Sequence, residues 1–312
     1  MIRCLFHQHV AISRSSWKPL LFSTPLYSRL TKLSKACYAD FSNFSFATAP
    51  ASRMHSAVLA NLDPTQAKLM SEECILVDEM DRVLDKATKQ ECHLMANINK
   101  GMLHRAFSVF LFNTNGELLL QQRSSKKITY PNHITNTCCS HPLFKEAELE
   151  ENNAIGVRRA AQRKLQHELG IPPEQVPLED IHYITRMHYK AGNVPLDGKW
   201  GEHEIDYVLF IKKNVDLNLN PNEVKSTMYL NCDGVKDLMK NFKDRGILLT
   251  PWFQLIVDNF LYQWWDNLQC LNTQPSVTSV MMLIAIDDDE EVEEWGKEDI
   301  DNDLDHRVRA GV

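Results

Sequence analysis

An α/β (α+β) sandwich, with helices packed on both sides of a mixed β-sheet, is the fold class this sequence predicts, and three observations carry it. Residues 106–112 and 117–122 are apolar-rich runs joined by Asn113-Thr114-Asn115-Gly116, an Asn-Gly turn of the kind that closes a hairpin. Val157, Ala161, Leu165 and Leu169 recur every four residues, which puts one apolar stripe on a helix over 154–170. Ile205, Tyr207, Leu209 and Ile211 alternate with Asp206, Val208 and Phe210, the pattern of a mostly buried strand. Strand and helix periods interleaved in one stretch place both element types around a single sheet.

The remaining elements follow from local chemistry. Residues 74–77 form a short apolar strand that Asp78 closes. The helix at 154–170 ends at Gly170, which can take a left-handed C-cap, and Pro172 keeps it from continuing. A last helix opens at Thr250-Pro251, with Thr as N-cap and Pro at the first helical position, and runs to about residue 266. These elements delimit a compact unit over residues 60–269.

Charge divides the chain more sharply than hydropathy does. The net charge of -7 conceals a segment 1–39 at +6 and a segment 270–312 at -9, leaving -4 for the residues between. A mildly acidic central domain has no basic surface to attract nucleic acid. Residues 1–55, basic and rich in Ser and aromatics, have the composition of a mitochondrial transit peptide, with cytoplasm or peroxisome as the alternative destination. Residues 270–312, a short apolar run at 281–286 included, read as an acidic tail without structure. No apolar run is long enough to span a bilayer, and a monomer is the default expectation. Eight cysteines at irregular spacing, none as a CxxC pair, suggest a reducing compartment and give no thiolate metal site.

Four segments collect the residues that a metal and a proton relay need. They are Lys89-Gln-Glu-Cys-His93, His104-Arg-Ala-Phe107, Thr137-Cys-Cys-Ser-His-Pro142 and Trp200-Gly-Glu-His-Glu204. A lone histidine is more often packed or solvated than ligated, so no single segment decides. Glu202 and Glu204 say more. Two apart on a strand, they share a face that His203 leaves, and two carboxylates on one face repel unless a cation sits between them. Imidazoles from His93, His104 and His141 complete a nitrogen and oxygen shell suited to Zn2+, Mn2+ or Mg2+.

The motifs T-N-T-C-C-S-H-P and W-G-E-H-E-I-D-Y, with H-R-A-F-S-V-F-L-F and L-L-L-Q-Q-R, resemble type I isopentenyl diphosphate isomerases, with a likeness close to the vertebrate enzymes. The resemblance runs over residues 62–268 and covers neither terminus; the family's usual peroxisomal tripeptide is replaced by Ala310-Gly311-Val312. It implies a Nudix-like sandwich and the substrate isopentenyl diphosphate. Carried over residue by residue, it implies Cys139 as catalytic cysteine and Glu204 as catalytic glutamate and metal ligand, with His93, His104, His141 and Glu202 as the other ligands. Lys89, Arg123 and Lys127 match diphosphate-binding positions, Ser140 a substrate contact, and Glu168 a glutamate that holds a second Mg2+. Tyr189 and Trp252 match aromatics of the hydrocarbon pocket.

The chemistry gives those roles a reason. Protonating an alkene creates a tertiary carbocation that water would trap, so the pocket must be dry and electron-rich, and two groups flanking the skeleton must share acid and base duty. Two other readings compete. In the stretch Arg163-Lys-Leu-Gln-His-Glu-Leu-Gly170 only Glu168 remains of the three glutamates of R-E-x-x-E-E-x-G, which argues against a Nudix-type diphosphate hydrolase. An inactive paralogue or splice product with a binding role is suggested by the tail and opposed by the intact catalytic positions.

Overall fold

The structure, a computed structural model, describes residues 63–192, 198–270 and 281–285; the basic N-terminal segment and the acidic block lie outside the described residues. In chain order its elements are α1 (Pro64–Leu69), β1 (Glu73–Val77), β2 (Val83–Thr88), α2 (Lys89–His93), α3 (Met95–Ile98), β3 (His104–Phe112) and β4 (Leu118–Arg123). There follow β5 (Ile134–Thr135), β6 (Cys138–Ser140), α4 (Glu146–Leu149), α5 (Ile155–Leu169), β7 (His182–Gly192) and β8 (Gly201–Lys212). The chain continues with β9 (Val224–Leu230), α6 (Cys232–Asn241), α7 (Pro251–Ile256), α8 (Tyr262–Asp266) and β10 (Met281–Ala285).

One mixed sheet runs β10-β7-β8-β3-β1-β2, with β4, β5, β6 and β9 branching from it. Its spine is β3 laid parallel on β8 from His104↔Glu204 to Phe112↔Lys212, and all nine residues of β3 are buried. Alternation then sorts side chains to two cores. Phe107, Val109, Leu111, Ile205, Leu209 and Ile211 meet the α5 stripe of Val157, Ala161, Leu165 and Leu169. Phe110, Phe112, Val208 and Phe210 meet Trp252, Phe253 and Ile256 of α7. The expected sandwich is present.

The hairpin forms at the expected turn. Gly116 takes φ 80°, and Asn113 Oδ1 accepts from Glu117 N–H, so the side chain closes what the backbone leaves open. Beyond it β3 and β4 pair only at Phe112↔Leu118 and then splay. The Thr135-Asn136-Thr137 segment fills the gap. Thr137 Oγ1 accepts from Leu111 N–H on β3 at 2.8 Å and donates to Leu119 C=O on β4 at 2.6 Å. Asn136 Nδ2 donates to the carbonyls of Val109 and Cys138. Two polar side chains thus replace ladder bonds and deliver β6 onto β3, with Cys139 opposite Ser108.

Two expectations about the helices need adjustment. Gly170 caps α5 at φ 65°, and a Cβ there would come 2.2 Å from the Asn218 carbonyl oxygen, so glycine is required twice over. Thr250 does occupy the N-cap of α7, but its hydroxyl bonds Thr135 Oγ1 at 2.7 Å rather than a helix N–H. The last helix is also not uniform: Val257–Leu261 forms a π turn between α7 and α8. The tail departs more. Residues 281–285, expected to lie in an unstructured segment, form β10, parallel to β7 from Met281↔Arg186 to Ala285↔Lys190.

Candidate active site

The site lies on the face of the sheet that carries the α7 core, at the end where β3, β7 and β8 start or finish. His104 opens β3 and is paired with Glu204 of β8. Tyr189 of β7 pairs with Glu204 from the other side, and Ala191 with Glu202. Gly201 admits this close packing, since a Cβ there would lie 2.3 Å from Met95 Sδ. His93 closes α2, which Thr88 and Glu91 start with a reciprocal capping box. His141 follows β6, where Arg163 Nη2 holds its carbonyl at 3.2 Å while also gripping Glu148.

These placements bring all five expected ligands together. One ligand atom each from His93, His104, His141, Glu202 and Glu204 lie within 4.8 Å of one another, all buried. The three imidazole centroids form a triangle with 4.9 Å sides. Ligand oxygens at ~2.1 Å from an octahedral ion stand ~4.2 Å apart across it, so one divalent ion fits this spread.

Hydrogen bonding makes the same case. His93 Nδ1 donates to Lys89 C=O at 2.7 Å, which turns the Nε2 lone pair inward. Glu202 Oε2 is 2.9 Å from that nitrogen but makes no hydrogen bond, and His104 Nε2, 3.3 Å from Glu204 Oε1, makes none either. Burial holds His104 below the usual imidazole range, and burial with His104 and Lys89 nearby holds His141 well below it, so both present neutral nitrogens. Burial opposes protonation of His93 too, but Glu202 beside it reverses the balance and its pKa lies above the ordinary value. Buried imidazole nitrogens and carboxylate oxygens that face one another, His104 Nε2 and Glu202 Oε2 among them without a hydrogen-bond partner, suit a divalent metal ion, and no lysine or arginine is ion-paired to the two carboxylates among the described residues.

Glu204 is the hub. Its Oε1 is 2.9 Å from His141 Nε2, and its Oε2 accepts the Tyr189 hydroxyl. Burial raises its pKa, yet His104 and His93 outweigh that and hold it below the usual carboxylate range. Asp206, two residues on and on the same face, behaves oppositely: burial and Glu204 raise it well above the carboxylate range.

Cys139 rises from this face on β6, so it and Glu204 flank β3. It packs on the core cluster that contains Trp252, Tyr189 and Tyr130. Trp252 is 2% exposed, with Nε1 donating to Asn136 Oδ1 at 3.0 Å, and the Tyr130 and Tyr189 rings lie 5.1 and 6.4 Å away. Burial, Asp206 and Glu204 push the Cys139 thiol well up, so it rests protonated. Cys138 points to the opposite core, with Sγ 3.5 Å from Glu168 Oε2.

The expected diphosphate residues gather less tightly. Lys127 is buried and held 2.6 Å from Glu223, and Lys164 is 3.2 Å from Glu168. Glu223 and Lys164 are unexpected members. Burial pushes Lys127 down to about 8 despite Glu223, whose own carboxyl stays ionised because Lys127 and Lys164 outweigh its burial. Glu168 Oε1 is buried without a hydrogen-bond partner. Arg123 spends its guanidinium on the Tyr130 and Thr129 carbonyls and stands 5.8 Å from the Trp252 ring centre. Lys89 is half-buried at the start of α2, and Ser140 is buried opposite Phe107.

Sequence reasoning missed Asp206, Ser108, Tyr130, Lys164 and Glu223. Asp206 was within reach, because the alternation that pairs Glu202 with Glu204 continues to it. Glu223 sits in a loop and carries no periodic signal.

Comparison with known proteins identifies a family. Residues 102–253 match the NUDIX domain family. Isopentenyl-diphosphate Delta-isomerase 1 of Bos taurus is 60% identical over 212 residues, covering 68% of this chain and 92% of that protein. The Mesocricetus auratus protein of the same name is 58% identical over 213 residues, again covering 68% and 92%. A Deinococcus radiodurans structure aligns with a TM-score of 0.43 at 16% identity, over 61% of this chain and all of that one. On the identity and coverage of the mammalian relatives, with the five-ligand cluster in place, the chain belongs to the type I isopentenyl-diphosphate Delta-isomerase family.

Proposed function

We propose that this protein interconverts isopentenyl diphosphate and dimethylallyl diphosphate, an isoprenoid precursor step, by adding a proton to one carbon and removing one from another through a tertiary carbocation. The observation that carries the reading is convergence. Glu204, a carboxyl tied to two imidazoles and a tyrosine, and the Cys139 thiol rise from one face of the sheet on either side of β3, against a buried aromatic pocket.

Each group then has a task. A protonated thiol can donate to the alkene and the Glu204 carboxylate can receive the proton lost elsewhere, or the two can act in the reverse order. Trp252, almost free of solvent, excludes water and offers its face to the cation, worth ~2 kcal/mol when desolvated. Tyr189 donates to Glu204 and fixes which oxygen faces the skeleton. Lys89, Arg123, Lys127 and Ser140 hold the diphosphate end, and restraining the substrate there lowers the barrier through orientation.

His93, His104, His141, Glu202 and Glu204 would hold a divalent ion, Mg2+, Mn2+ or Zn2+, and Glu168 a second Mg2+ with the diphosphate. Such ions supply positive charge that lets paired carboxylates stay ionised and tunes the proton affinity of Glu204.

The test is incubation with isopentenyl diphosphate, following dimethylallyl diphosphate and released phosphate together. Isomerisation without phosphate release is expected. Phosphate release would instead support a diphosphate hydrolase, the reading that the single glutamate left in the stretch 163–170 argues against. We also propose that the protein acts as a monomer and that residues 1–55 direct it to the mitochondrion. Deleting them should send it to the cytosol with unchanged kinetics, and sedimentation should return one chain's mass.

A further inference from the structure

A thiol on a strand can swing among three staggered rotamers, only one of which aims the sulfur at a given carbon. Something must select it. Ser108 stands opposite Cys139 in the β3–β6 register, with its Oγ 3.6 Å from Cys139 Sγ. The same oxygen lies 2.8 Å from Asp206 Oδ2 on β8. Ser108 and Asp206 are both 0% exposed, and Asp206 Oδ1 has no hydrogen-bond partner. A buried carboxyl left half-bonded is destabilising, so two apolar side chains of similar shape would serve packing better at this spot. The fold keeps a polar pair where packing alone disfavours one.

We propose that Ser108, anchored by Asp206, is a positioning residue that fixes the Cys139 sulfur on its side of the pocket, an inference that rests on the catalytic role given to Cys139 above. The geometry works in either hydrogen-bond polarity. If Ser108 donates to Asp206, the thiol donates into Ser108 Oγ; if Asp206 donates, Ser108 turns its O–H to the sulfur. The sulfur occupies the same place in both cases.

The test uses the full-length, metal-loaded protein and the S–H stretching band of Cys139, assigned by its disappearance in Cys139→Ala. Ser108→Ala removes the hydroxyl that bonds the sulfur in either polarity, so it should move that band from its wild-type position and lower kcat ~10- to 100-fold, the order expected from a misplaced reacting group, with KM nearly unchanged. Ser108→Thr, which restores a hydroxyl, should recover the band and most of kcat. Asp206→Ala removes the anchor and carries the test if Ser108→Ala does not fold, with the same band shift expected. An unchanged band and unchanged kcat in the folded variant would overturn the proposal. Wild-type turnover in Cys139→Ala would overturn the catalytic reading beneath it instead, so the two failures are separable.

Discussion

Two of the buried charged clusters among the described residues, one around Glu204 and one around Glu223 and Glu168, are unfinished in opposite ways. Around Glu204, two carboxylates and three imidazoles converge, with His104 Nε2 and Glu202 Oε2 lacking a hydrogen-bond partner and, among the described residues, no lysine or arginine paired to them. Around Glu223 and Glu168, each carboxylate already has a lysine at 2.6 or 3.2 Å. The first cluster lacks a cation. The second has its cations in place and spare positive charge from Lys89 and Arg123, which is what a multiply charged anion requires. In the proposed reaction this contrast sorts the two ligands by charge before either arrives and puts the carbon skeleton between them.

That contrast can be broken by mutation. The largest effect is expected from Glu204→Gln, which removes a ligand and an acid–base group together. Turnover should fall ~10^3- to 10^4-fold, with metal content by elemental analysis falling as well. Full turnover would separate the His/Glu cluster from the chemistry. Chelation should come next. Without an ion, the two carboxylates repel at close quarters, so stability should drop by ~3 kcal/mol, the linkage expected near a hundredfold excess over Kd, and the midpoint of thermal unfolding should fall. An unmoved midpoint would mean that the cluster is not loaded.

Legibility in the sequence follows the same contrast. The His/Glu cluster could be read because Glu202 and Glu204 declare a strand face by their spacing, and the hairpin and the α5 stripe announce the elements around it. The second cluster is harder to read, because Glu223 comes from a loop and Lys164 looks like any solvated helix lysine until α5 is docked on the sheet. β7 was written as alternation, with Met187 and Tyr189 between Arg186, His188 and Lys190, but the flanking charges hid it. The Thr250 hydroxyl went to Thr135 because a tertiary partner 115 residues away competed with the local cap. No local rule weighs such a competition.

Smaller effects sharpen the comparison. Trp252→Leu should lower kcat ~30-fold, the equivalent of ~2 kcal/mol, while KM changes little, because the cation exists only near the transition state. Equal losses in both constants would reduce Trp252 to a pocket wall. Lys127→Met should do the reverse, raising KM about tenfold with kcat nearly kept, since it serves the ground state and the transition state alike. The mildest expectation concerns pH. Lys127 in the fold titrates at about 8, below its ordinary value, so its charge is present at neutrality and lost as pH rises through that point. KM for the diphosphate should therefore climb above pH ~8, and the climb should vanish in Lys127→Met.

The sorting of charge is tested most directly by crystals soaked with Mn2+ and an unreactive diphosphate analogue, with anomalous data collected at the manganese edge. The account predicts a strong peak enclosed by His93, His104, His141, Glu202 and Glu204, phosphorus density beside Lys89, Arg123 and Lys127, and the hydrocarbon between Cys139 and Glu204. A diphosphate seated on the histidine-bound ion, with its carbons turned away from Cys139, would contradict it.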